Sequence, residues 1–286
     1  MIVTNLEKEY IKNIAILLTC YNRINQTLRC LESLLQVSVP QNHRIEVFLV
    51  DDNSPDATGK IVKDTYPQVN VIYGDGELYW NRGMILAWKT AAQKLDYDFY
   101  LWLNDDVILV KETLNIFLDD LQKSGKEAAI IAGACKSSTN KVSYSGYLKK
   151  NGKKKLIPTG APQQCDYFNG NVVLIPSSIF KKVGFLDPLF HHAQGDFDYG
   201  LRAKKEGFIS YISSKYVGIC ELNKELPVWC NPNYSFITRW KHFKSPLGGR
   251  PKLNFAFNKR HNGLASAIFH YCTIHIRSIL PILWKK

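Results

Sequence analysis

The sequence lacks the features that would place it in several common classes of protein. Its seven cysteines form no CxxC pair, which argues against a zinc site or a disulfide framework and favours free thiols in a reducing compartment, the cytoplasm. The first ten residues, MIVTNLEKEY, hold three charges and no long apolar run, so we expect no secretory signal. No DNA- or RNA-binding motif is present, so we expect no nucleic-acid partner.

Acidic residues are scarce near the end of the chain. Residues 215–286 contain 12 Lys and Arg residues against two acids, Glu221 and Glu225, and so carry most of the formal net charge of +12. Such a basic segment attracts anionic lipid headgroups and lipid-linked pyrophosphates. The hydrophobic fraction of 45% excludes a disordered chain and is enough for one large domain with a short appendage.

Short apolar runs alternate with helical patterns in the first hundred residues. The runs cover residues 14–19 (IAILLT), 45–50 (IEVFLV), 69–73 and 99–103 (FYLWL). This alternation predicts an α/β fold with a mostly parallel, doubly wound sheet. Because ligands of such sheets bind at the carboxyl ends of the strands, we expect the polar residues 19–23, 51–53 and 104–106 to meet along one edge.

Two acid pairs follow the apolar runs. Asp105 and Asp106 come directly after a buried run, where carboxylates are costly unless they meet a cation such as Mg²⁺ or Mn²⁺ that also binds substrate phosphates. The alternative is that they cap the next helix. Asp51 and Asp52 can accept hydrogen bonds from a base or a ribose, or form an Asx-turn with Ser54 and Pro55 that requires no ligand.

Five ordered segments between residues 19 and 208 resemble glycosyltransferase family 2. They are TCYNR, VDDNSPDATG, LNDDV, NGNVVLIPSSIFKKVGFLD and GDFDYGLRAKKEGF. The resemblance implies a GT-A fold and a rhamnosyltransferase-like enzyme that inverts the anomeric carbon. It also implies a UDP-, GDP- or dTDP-linked donor, and an acceptor hydroxyl on a surface glycan or lipid-linked glycan of the capsule, lipopolysaccharide or O-antigen type.

The resemblance also implies roles for individual residues. Asp106 is expected to bind the metal, because Asn104 stands where the family's first acid would be, and Asp196 is expected to be the general base, with Gly195 at a position where an acid often stands. The donor-side candidates are Thr19, Tyr21, Asn22, Arg23, Asp51, Asp52, Trp80, Asn81, Arg82, Asn104 and Asp105. The acceptor-side candidates are Asp198, His192 and Asn171.

Each of these positions also has a simpler structural interpretation. Asp196 could lie in a surface turn, Asp198 could cap a helix, Trp80 could fill the core, and Asn171 could belong to a plain turn.

The third ligand of the cation is open, because a metal-ligating histidine that many family members place after the base motif is missing here. The candidates for that third contact are Glu221, Cys220 and His242, with substrate and water as the remaining option.

The chain is predicted to divide into a catalytic domain, residues 1–225, and a basic helical extension, residues 226–286. At helical spacing, residues 264–284 have a polar stripe of Ser266, His270, Thr273 and Arg277 and an apolar stripe of Ile268, Cys272, Ile276, Ile279 and Leu283. Burying an arginine in hydrocarbon costs about 3 kcal/mol, which favours a helix lying on the inner face of an anionic membrane over a spanning one. The alternatives are packing against the domain and contact within a homodimer.

Two other functions compete with the glycosyltransferase. A sugar-1-phosphate nucleotidyltransferase would share the sheet and the metal, but it needs a glycine-rich loop after the first strand, and TCYNRINQ contains no glycine. A non-catalytic glycan-binding protein would explain the aromatic residues but not the acids placed after successive strands.

Overall fold

The computed structural model describes residues 10–152, 154–222 and 225–284. The first nine residues, on which most of the expectation about a secretory signal rests, lie outside these ranges. The strands are β1 Lys12–Cys20, β2 His43–Asp51, β3 Val69–Tyr73, β4 Phe99–Leu103, β5 Ile108–Leu109, β6 Ala129–Lys136, β7 Val142–Tyr144, β8 Gly146–Tyr147, β9 Gln163–Cys165, β10 Tyr167–Phe168, β11 Val172–Pro176 and β12 Ile209–Ile219.

The described residues form nine α-helices, of which the first three follow β1, β2 and β3, as the alternating pattern predicts. They are α1 Ile24–Leu35, α2 Thr58–Thr65, α3 Tyr79–Lys94, α4 Thr113–Lys123, α5 Ser177–Val183, α6 Gly195–Lys205, α7 Phe236–Phe243, α8 Pro251–Asn262 and α9 Leu264–Ile279. Short 3₁₀ turns occupy Lys149–Asn151, Val228–Cys230 and Pro281–Trp284.

The main sheet has ten strands, with the path β3-β2-β1-β4-β11-β6-β12-β5. Strands β3, β2, β1 and β4 are parallel to one another, whereas β11 runs antiparallel to both β4 and β6. The parallel half brings the ends of β1, β2 and β4 to one edge, as the sequence pattern predicts. The predicted α/β fold with a large, mostly parallel sheet is confirmed.

Helices cover both faces of the sheet, which is why the central strands are apolar throughout. Along β1, Ile14, Ile16 and Leu18 pack on the side of α1, α2 and α4, while Ala15 and Leu17 pack on the side of α3, α5 and α6. This alternation follows from the two-residue repeat of a strand. The two cores therefore hold the sheet rigidly and fix the positions of the loops at its edge.

Helix α6 begins one residue before Asp196, for which a surface turn was the alternative interpretation. It starts at Gly195 after Gln194, which has a left-handed backbone with φ of 77°. Asp196 therefore lies in the first turn of the helix rather than in a surface turn before it. The direction of its side chain is thus set by the helix and by what packs against it.

Of the helices that the structure describes after residue 226, α8 is the one that contacts α6 through charged side chains. The carboxylate of Asp198 is fully buried and bonds to Arg202 Nε at 2.8 Å, Arg260 Nη1 at 2.7 Å and His261 Nε2 at 2.8 Å. Burial alone would raise the pKa of Asp198, but the hydrogen bonds from His261, Arg202 and Arg260 lower it below its usual value. Helix α8 is therefore attached to α6 by a buried, charged cluster.

Helix α9 packs on α8 in a hairpin and turns its apolar stripe outward. Gly263, with φ of 87°, joins the two helices, and the rings of Phe255 and Tyr271 meet at 5.8 Å. The predicted apolar residues Ile268, Cys272, Ile276, Ile279 and Leu283 are all exposed, and Leu264 and Phe269 are exposed as well. Three of the four residues of the predicted polar stripe, Ser266, Thr273 and Arg277, are partly buried instead. The helix is thus amphipathic with its apolar side facing away from the protein.

The far end of α9 is held by α7. Arg239, itself buried, donates from Nε to the carbonyl oxygen of Ser278 at 3.0 Å and from Nη2 to that of Ile279 at 3.2 Å. Among the residues that the structure describes, no helix combines the length and the hydropathy that crossing a membrane requires.

The buried cluster around Asp198 gives a prediction about stability. Asp198→Ala should lower the free energy of unfolding by about 3 to 5 kcal/mol, because it leaves two guanidinium groups without their buried partner. Because the pKa of Asp198 is lowered in the folded protein, its contribution should be complete above its unfolded pKa of about 4 and fall away at lower pH. Urea denaturation at several pH values measures both effects.

The exposed ion pair of Asp96 with Lys181 provides the control for this measurement. Asp96→Ala should cost less than about 1 kcal/mol, because both side chains lie in solvent. Equal costs for the two variants would contradict the importance of the buried cluster.

Candidate active site

The polar residues predicted to meet do lie along one edge of the sheet. Strands β1 and β2 end together, with Cys20 paired to Asp51, and β4 ends beside β1. The loop after β4 is joined to the segment before β11, because Asn104 N donates to the carbonyl oxygen of Asn171 at 2.8 Å. Residues that are far apart in sequence thereby border one region of the molecule.

The acid pair after β4 is bound to an arginine. Arg23, at the start of α1, places Nη1 3.1 Å from Asp105 Oδ1 and 3.2 Å from Asp106 Oδ2. Asp105 is buried and also accepts a hydrogen bond from Thr27, while Asp106 is more than a third exposed. Burial raises the pKa of Asp105 to about 6, although Arg23 opposes that shift. The pair is therefore a buried carboxylate beside an open one.

This arrangement suits a divalent cation. The two carboxylates together attract positive charge, as their contacts with the Arg23 guanidinium show, and Asp106 offers exposed oxygen atoms of the kind that Mg²⁺ and Mn²⁺ prefer. Within the described ranges, no three His, Cys, Asp or Glu side chains come close enough to hold a metal by themselves. A bound cation would thus need further ligands from a substrate or from water.

Of the three candidates for a third metal contact, Cys220 lies next to Asp106. Its Sγ is 3.5 Å from Asp106 Oδ1, and Asn171 Nδ2 approaches the same sulfur at 3.7 Å. Burial and the neighbouring Asp106 carboxylate raise the pKa of the Cys220 thiol. Glu221 instead accepts a hydrogen bond from Ser138 N, and His242 is exposed on α7.

The acid pair after β2 organises the surrounding loops. Asp51 accepts hydrogen bonds from the backbone and hydroxyl of Ser54 and from Gly59 N at the start of α2. Asp52 accepts from the backbone N–H groups of residues 76, 78 and 79. Both carboxylates are buried, so the structure contains the turn that was the alternative interpretation, and a contact of either with a donor stays a prediction.

The loop after β1 contributes residues of different exposure. Thr19 is buried against α3, where a Cβ added to Gly83 would lie 2.3 Å from Thr19 Oγ1. Tyr21 is half exposed, and Asn22, with φ of 53°, donates its backbone N–H to Ser54 Oγ. Arg23 is thus the residue of this loop that contacts Asp105 and Asp106.

Trp80 lies between the acid pair and the helix that carries Asp196. Its indole Nε1 donates to Asn104 Oδ1 at 2.7 Å, and its ring meets that of Trp102 edge-on at 6.1 Å. Gly170 packs closely against it, because an added Cβ would lie 2.8 Å from the Trp80 ring and 3.0 Å from the Cβ of Asp196. Asn104, Trp80, Gly170 and Asp196 therefore form one continuous row of contacts.

Asn81 and Arg82 hold the segment before α6. The side-chain amide of Asn81 donates to the carbonyl oxygen atoms of Asp187 and Phe190, and Arg82 Nε donates to that of Pro188. Asn81 is fully buried, so a sugar-nucleotide donor cannot reach it in this structure. Arg82 remains partly accessible, and its donor contact stays a prediction.

The carboxylate of Asp196 is fixed by two backbone N–H groups. Oδ2 accepts from Gly170 N at 2.9 Å, and Oδ1 accepts from Phe197 N at 2.9 Å. Burial raises the pKa of Asp196 to about 6, against the lowering effect of these hydrogen bonds and of Arg250. A carboxylate with such a pKa is ionised at neutral pH and yet unusually basic, as a general base must be.

The three acceptor-side candidates lie in different surroundings. Asp198 is fully buried and paired, which leaves it no surface for an acceptor, and the sequence-based prediction is corrected to a structural role. Asn171 is also buried, with its amide directed at Cys220. His192 reaches the surface. The surrounding protein excludes part of the solvent from its ring and, together with the positive charges of Arg250 and Arg23, lowers its pKa to about 4. His192 is therefore neutral at physiological pH and close to the site.

Arg250 is a residue of this region that the sequence pattern did not single out. It precedes α8 with φ of 46°, donates from Nη1 to the carbonyl oxygen of Ala193 at 3.3 Å, and interacts electrostatically with Asp196. Burial lowers its pKa, and Asp196 opposes that shift. The basic segment after residue 226 held no motif that could have distinguished Arg250 from its neighbours.

Comparison with known proteins agrees with the resemblance seen in the motifs. The family model described as "Glycosyl transferase family 2" matches residues 15–183. A poly-beta-1,6-N-acetyl-D-glucosamine synthase of Staphylococcus epidermidis is 24% identical over 186 residues, which cover 63% of this chain and 43% of that protein. An uncharacterized glycosyltransferase of Rickettsia typhi is 25% identical over 188 residues, covering 63% and 55%. The chain spans about half the length of the curated relatives it matches.

Solved structures agree on the fold. The Staphylococcus aureus TarS fragment 1–349 in complex with UDP-GlcNAc has a TM-score of 0.56 at 15% identity, and the match covers 93% of this chain and 72% of that one. The mannosyltransferase PcManGT of Pyrobaculum calidifontis, in complex with GDP-Man and Mn²⁺, also has a TM-score of 0.56, at 12% identity, covering 97% and 77%. The predicted GT-A fold is confirmed.

The close packing at Gly170 gives a prediction. Gly170→Ala should destabilise the protein by about 1 to 3 kcal/mol, because the new methyl group would overlap the Trp80 ring. The double variant with Trp80→Phe should recover part of that loss, since the ring atoms in conflict are removed. Urea denaturation of the two single variants and the double variant measures the coupling, and strictly additive effects would contradict the contact.

Proposed function

The chain belongs to glycosyl transferase family 2, and we propose that it moves a sugar from a nucleoside diphosphate donor to a hydroxyl group of a surface-glycan acceptor, with inversion. The observation that carries this proposal is the row of contacts from the acid pair through Trp80 and Gly170 to Asp196. It supports the proposal because Asp105 and Asp106, which suit a cation, and Asp196, whose pKa is raised, are joined by this row of contacts. The family match ends at residue 183, so the assignment of Asp196 rests on this geometry.

Asp196 acts as the general base in this proposal. The acceptor oxygen forms a bond to the anomeric carbon as the bond from that carbon to the diphosphate oxygen breaks, and the hydroxyl proton passes to an Asp196 oxygen. Each oxygen of Asp196 has one hydrogen bond to the backbone, so lone pairs remain for the proton. A single displacement inverts the carbon and needs no covalent intermediate.

The remaining residues bind and orient the leaving group. Asp106 would hold a divalent cation, Mg²⁺ or Mn²⁺, which supplies positive charge against the leaving diphosphate. Arg23 contacts the same carboxylate and adds positive charge on the side of α1. PcManGT, which shares the fold, was solved with GDP-Man and Mn²⁺, and TarS with UDP-GlcNAc, which supports a nucleotide-sugar donor. Family membership disfavours a nucleotidyltransferase or a silent glycan-binding protein.

The exposed stripe of α9 supports a location at an anionic membrane surface, where lipid-linked acceptors are assembled. Residues 226–286 contain ten Lys and Arg residues and no Asp or Glu, and Lys241, Lys244, Lys252 and Lys259 are exposed. A homodimer formed symmetrically through this face would bring these like charges together. An anionic lipid surface instead accepts both the apolar stripe and the lysines.

The assignment of Asp196 predicts a pH profile and a variant. Because the base must be ionised, kcat/KM for transfer should rise as the pH increases through about 6 and level off above it. Asp196→Asn should reduce transfer by about 100- to 10,000-fold while leaving donor affinity nearly unchanged. Release of nucleoside diphosphate from a panel of nucleotide sugars, measured with acceptor and Mn²⁺, gives the rates.

Asp166→Asn is the matched control for this variant. Asp166 pairs with Lys204, which follows Asp196 by about two turns of α6, so its change to Asn should leave the rate and the profile as they are. The assignment would be refuted if the Asp196→Asn variant kept its activity, or if its kcat/KM still rose with pH as in the parent enzyme.

The α9 surface predicts binding to lipid vesicles. The full chain should bind phosphatidylglycerol vesicles but not phosphatidylcholine vesicles, and added salt should release it. Replacing Ile268 and Ile276 with Glu should weaken binding by about tenfold or more, because apolar burial is lost.

Ile157→Glu, an equally exposed position on the α/β unit, is the control and should bind like the parent. Sedimentation with the vesicles measures the bound fraction. Vesicle binding that is unchanged when Ile268 and Ile276 are both replaced with Glu would contradict the membrane surface. So would a dimer that this double variant disrupts and Ile157→Glu does not.

A further inference from the structure

The thiol of Cys220 lies against the carboxylate that is proposed to bind the cation. Cys220 follows the last residue of β12, and its backbone N–H donates to the carbonyl oxygen of Lys136 at 2.9 Å, which fixes the side chain beside the loop after β4. Its Sγ is 3.5 Å from Asp106 Oδ1, and only 2% of the residue is exposed. The main chain of the sheet therefore holds the Cys220 sulfur next to the Asp106 oxygen.

The two oxygen atoms of Asp106 have different neighbours. Oδ2 faces the guanidinium of Arg23 at 3.2 Å, which shows that this carboxylate accepts a positive charge, and Oδ1 faces the sulfur. Asn171 directs a side-chain N–H at the same sulfur from 3.7 Å. The Cys220 thiol donates to Asp106 Oδ1, and the Asn171 amide approaches the sulfur from the other side. Sulfur and carboxylate oxygen thus lie side by side, within reach of one cation that displaces the thiol proton.

We infer that Cys220 is a ligand of the cation bound by Asp106, so that the site prefers Mn²⁺ or Co²⁺ over Mg²⁺. The inference rests on the proposed function, since it extends the same cation site. On binding, a metal–sulfur bond forms, the thiol proton passes to solvent and no oxidation state changes. Mg²⁺ takes oxygen ligands almost exclusively, whereas sulfur ligands favour softer divalent ions. The identity of one side chain therefore sets the choice of metal.

Cobalt provides a direct spectroscopic test, because a thiolate bound to Co²⁺ absorbs in the near ultraviolet by charge transfer. The full chain carrying Cys272→Ser, which removes the exposed thiol, is titrated with Co²⁺ in the presence of UDP. We expect a saturable charge-transfer band in this parent protein. Cys220→Ser in the same background should abolish the band. Cys135→Ser, which removes a buried thiol on the neighbouring strand β6, should retain it.

Metal preference gives a second measurement in case a serine at position 220 perturbs the fold. Cys220→Asp replaces sulfur with oxygen and should bind Mg²⁺ relatively better than the parent protein does. Calorimetric titration with Mg²⁺ and with Mn²⁺, each in the presence of UDP, should show that the ratio of the two affinities shifts by about tenfold or more. Loss of a residue that only supports a metal ligand already costs about tenfold in affinity, and Cys220 is proposed to contact the cation itself. Circular dichroism confirms that each variant is folded.

The outcomes separate this inference from the proposed function. A band that survives in Cys220→Ser, or an unchanged metal ratio in Cys220→Asp, overturns the role of Cys220. If Asp106→Asn at the same time loses Mn²⁺-dependent donor binding, the proposed function stands without it. Absence of any cation binding with UDP overturns both metal roles, whereas the base is tested independently by its pH profile.

Discussion

The close packing of Gly170 between Trp80 and Asp196 is the constraint on which the rest of the site depends. Because Gly170 has no side chain, the indole ring and the start of α6 can approach the same point, and the Gly170 N–H is free to bind the Asp196 carboxylate. Asn171, the next residue, reaches the loop of the acid pair and Cys220. The two residues before β11 thus connect the proposed base to the proposed cation site.

The segment after residue 226 completes this arrangement from the other side. Arg250 contacts the carbonyl oxygen of Ala193, Asn254 contacts Gln194 at 2.7 Å, and Arg260 and His261 bind the carboxylate of Asp198. The start of α6 is therefore held at successive positions by α8 and the loop before it. A basic extension whose charge suggests only an anionic partner also has an internal role, because its inward-facing arginines neutralise and fix the helix that carries Asp196.

The two sides of the extension differ in what they offer. On its inner side, arginine and histidine form buried contacts, whereas on its outer side lysines and large apolar side chains are exposed. Charge and apolar surface that would be costly in isolation are together suited to a lipid interface. In the proposed function, the same scaffold connects the site of chemistry to the surface proposed to meet a lipid-linked acceptor.

The sequence alone determined the α/β fold, the strands that build the parallel half of the sheet, and the family, because buried strands leave continuous apolar runs and the polar residues after them form recognisable motifs. It also identified the acid pair and Asp196 as candidates. It could not show that Asp51 and Asp52 bind loop amides, that Asp198 is buried, or that Arg250 and Cys220 lie at the site. Those facts depend on contacts between residues far apart in the chain. Only the tertiary structure decides which side chains share a carboxylate and which side of a helix meets solvent.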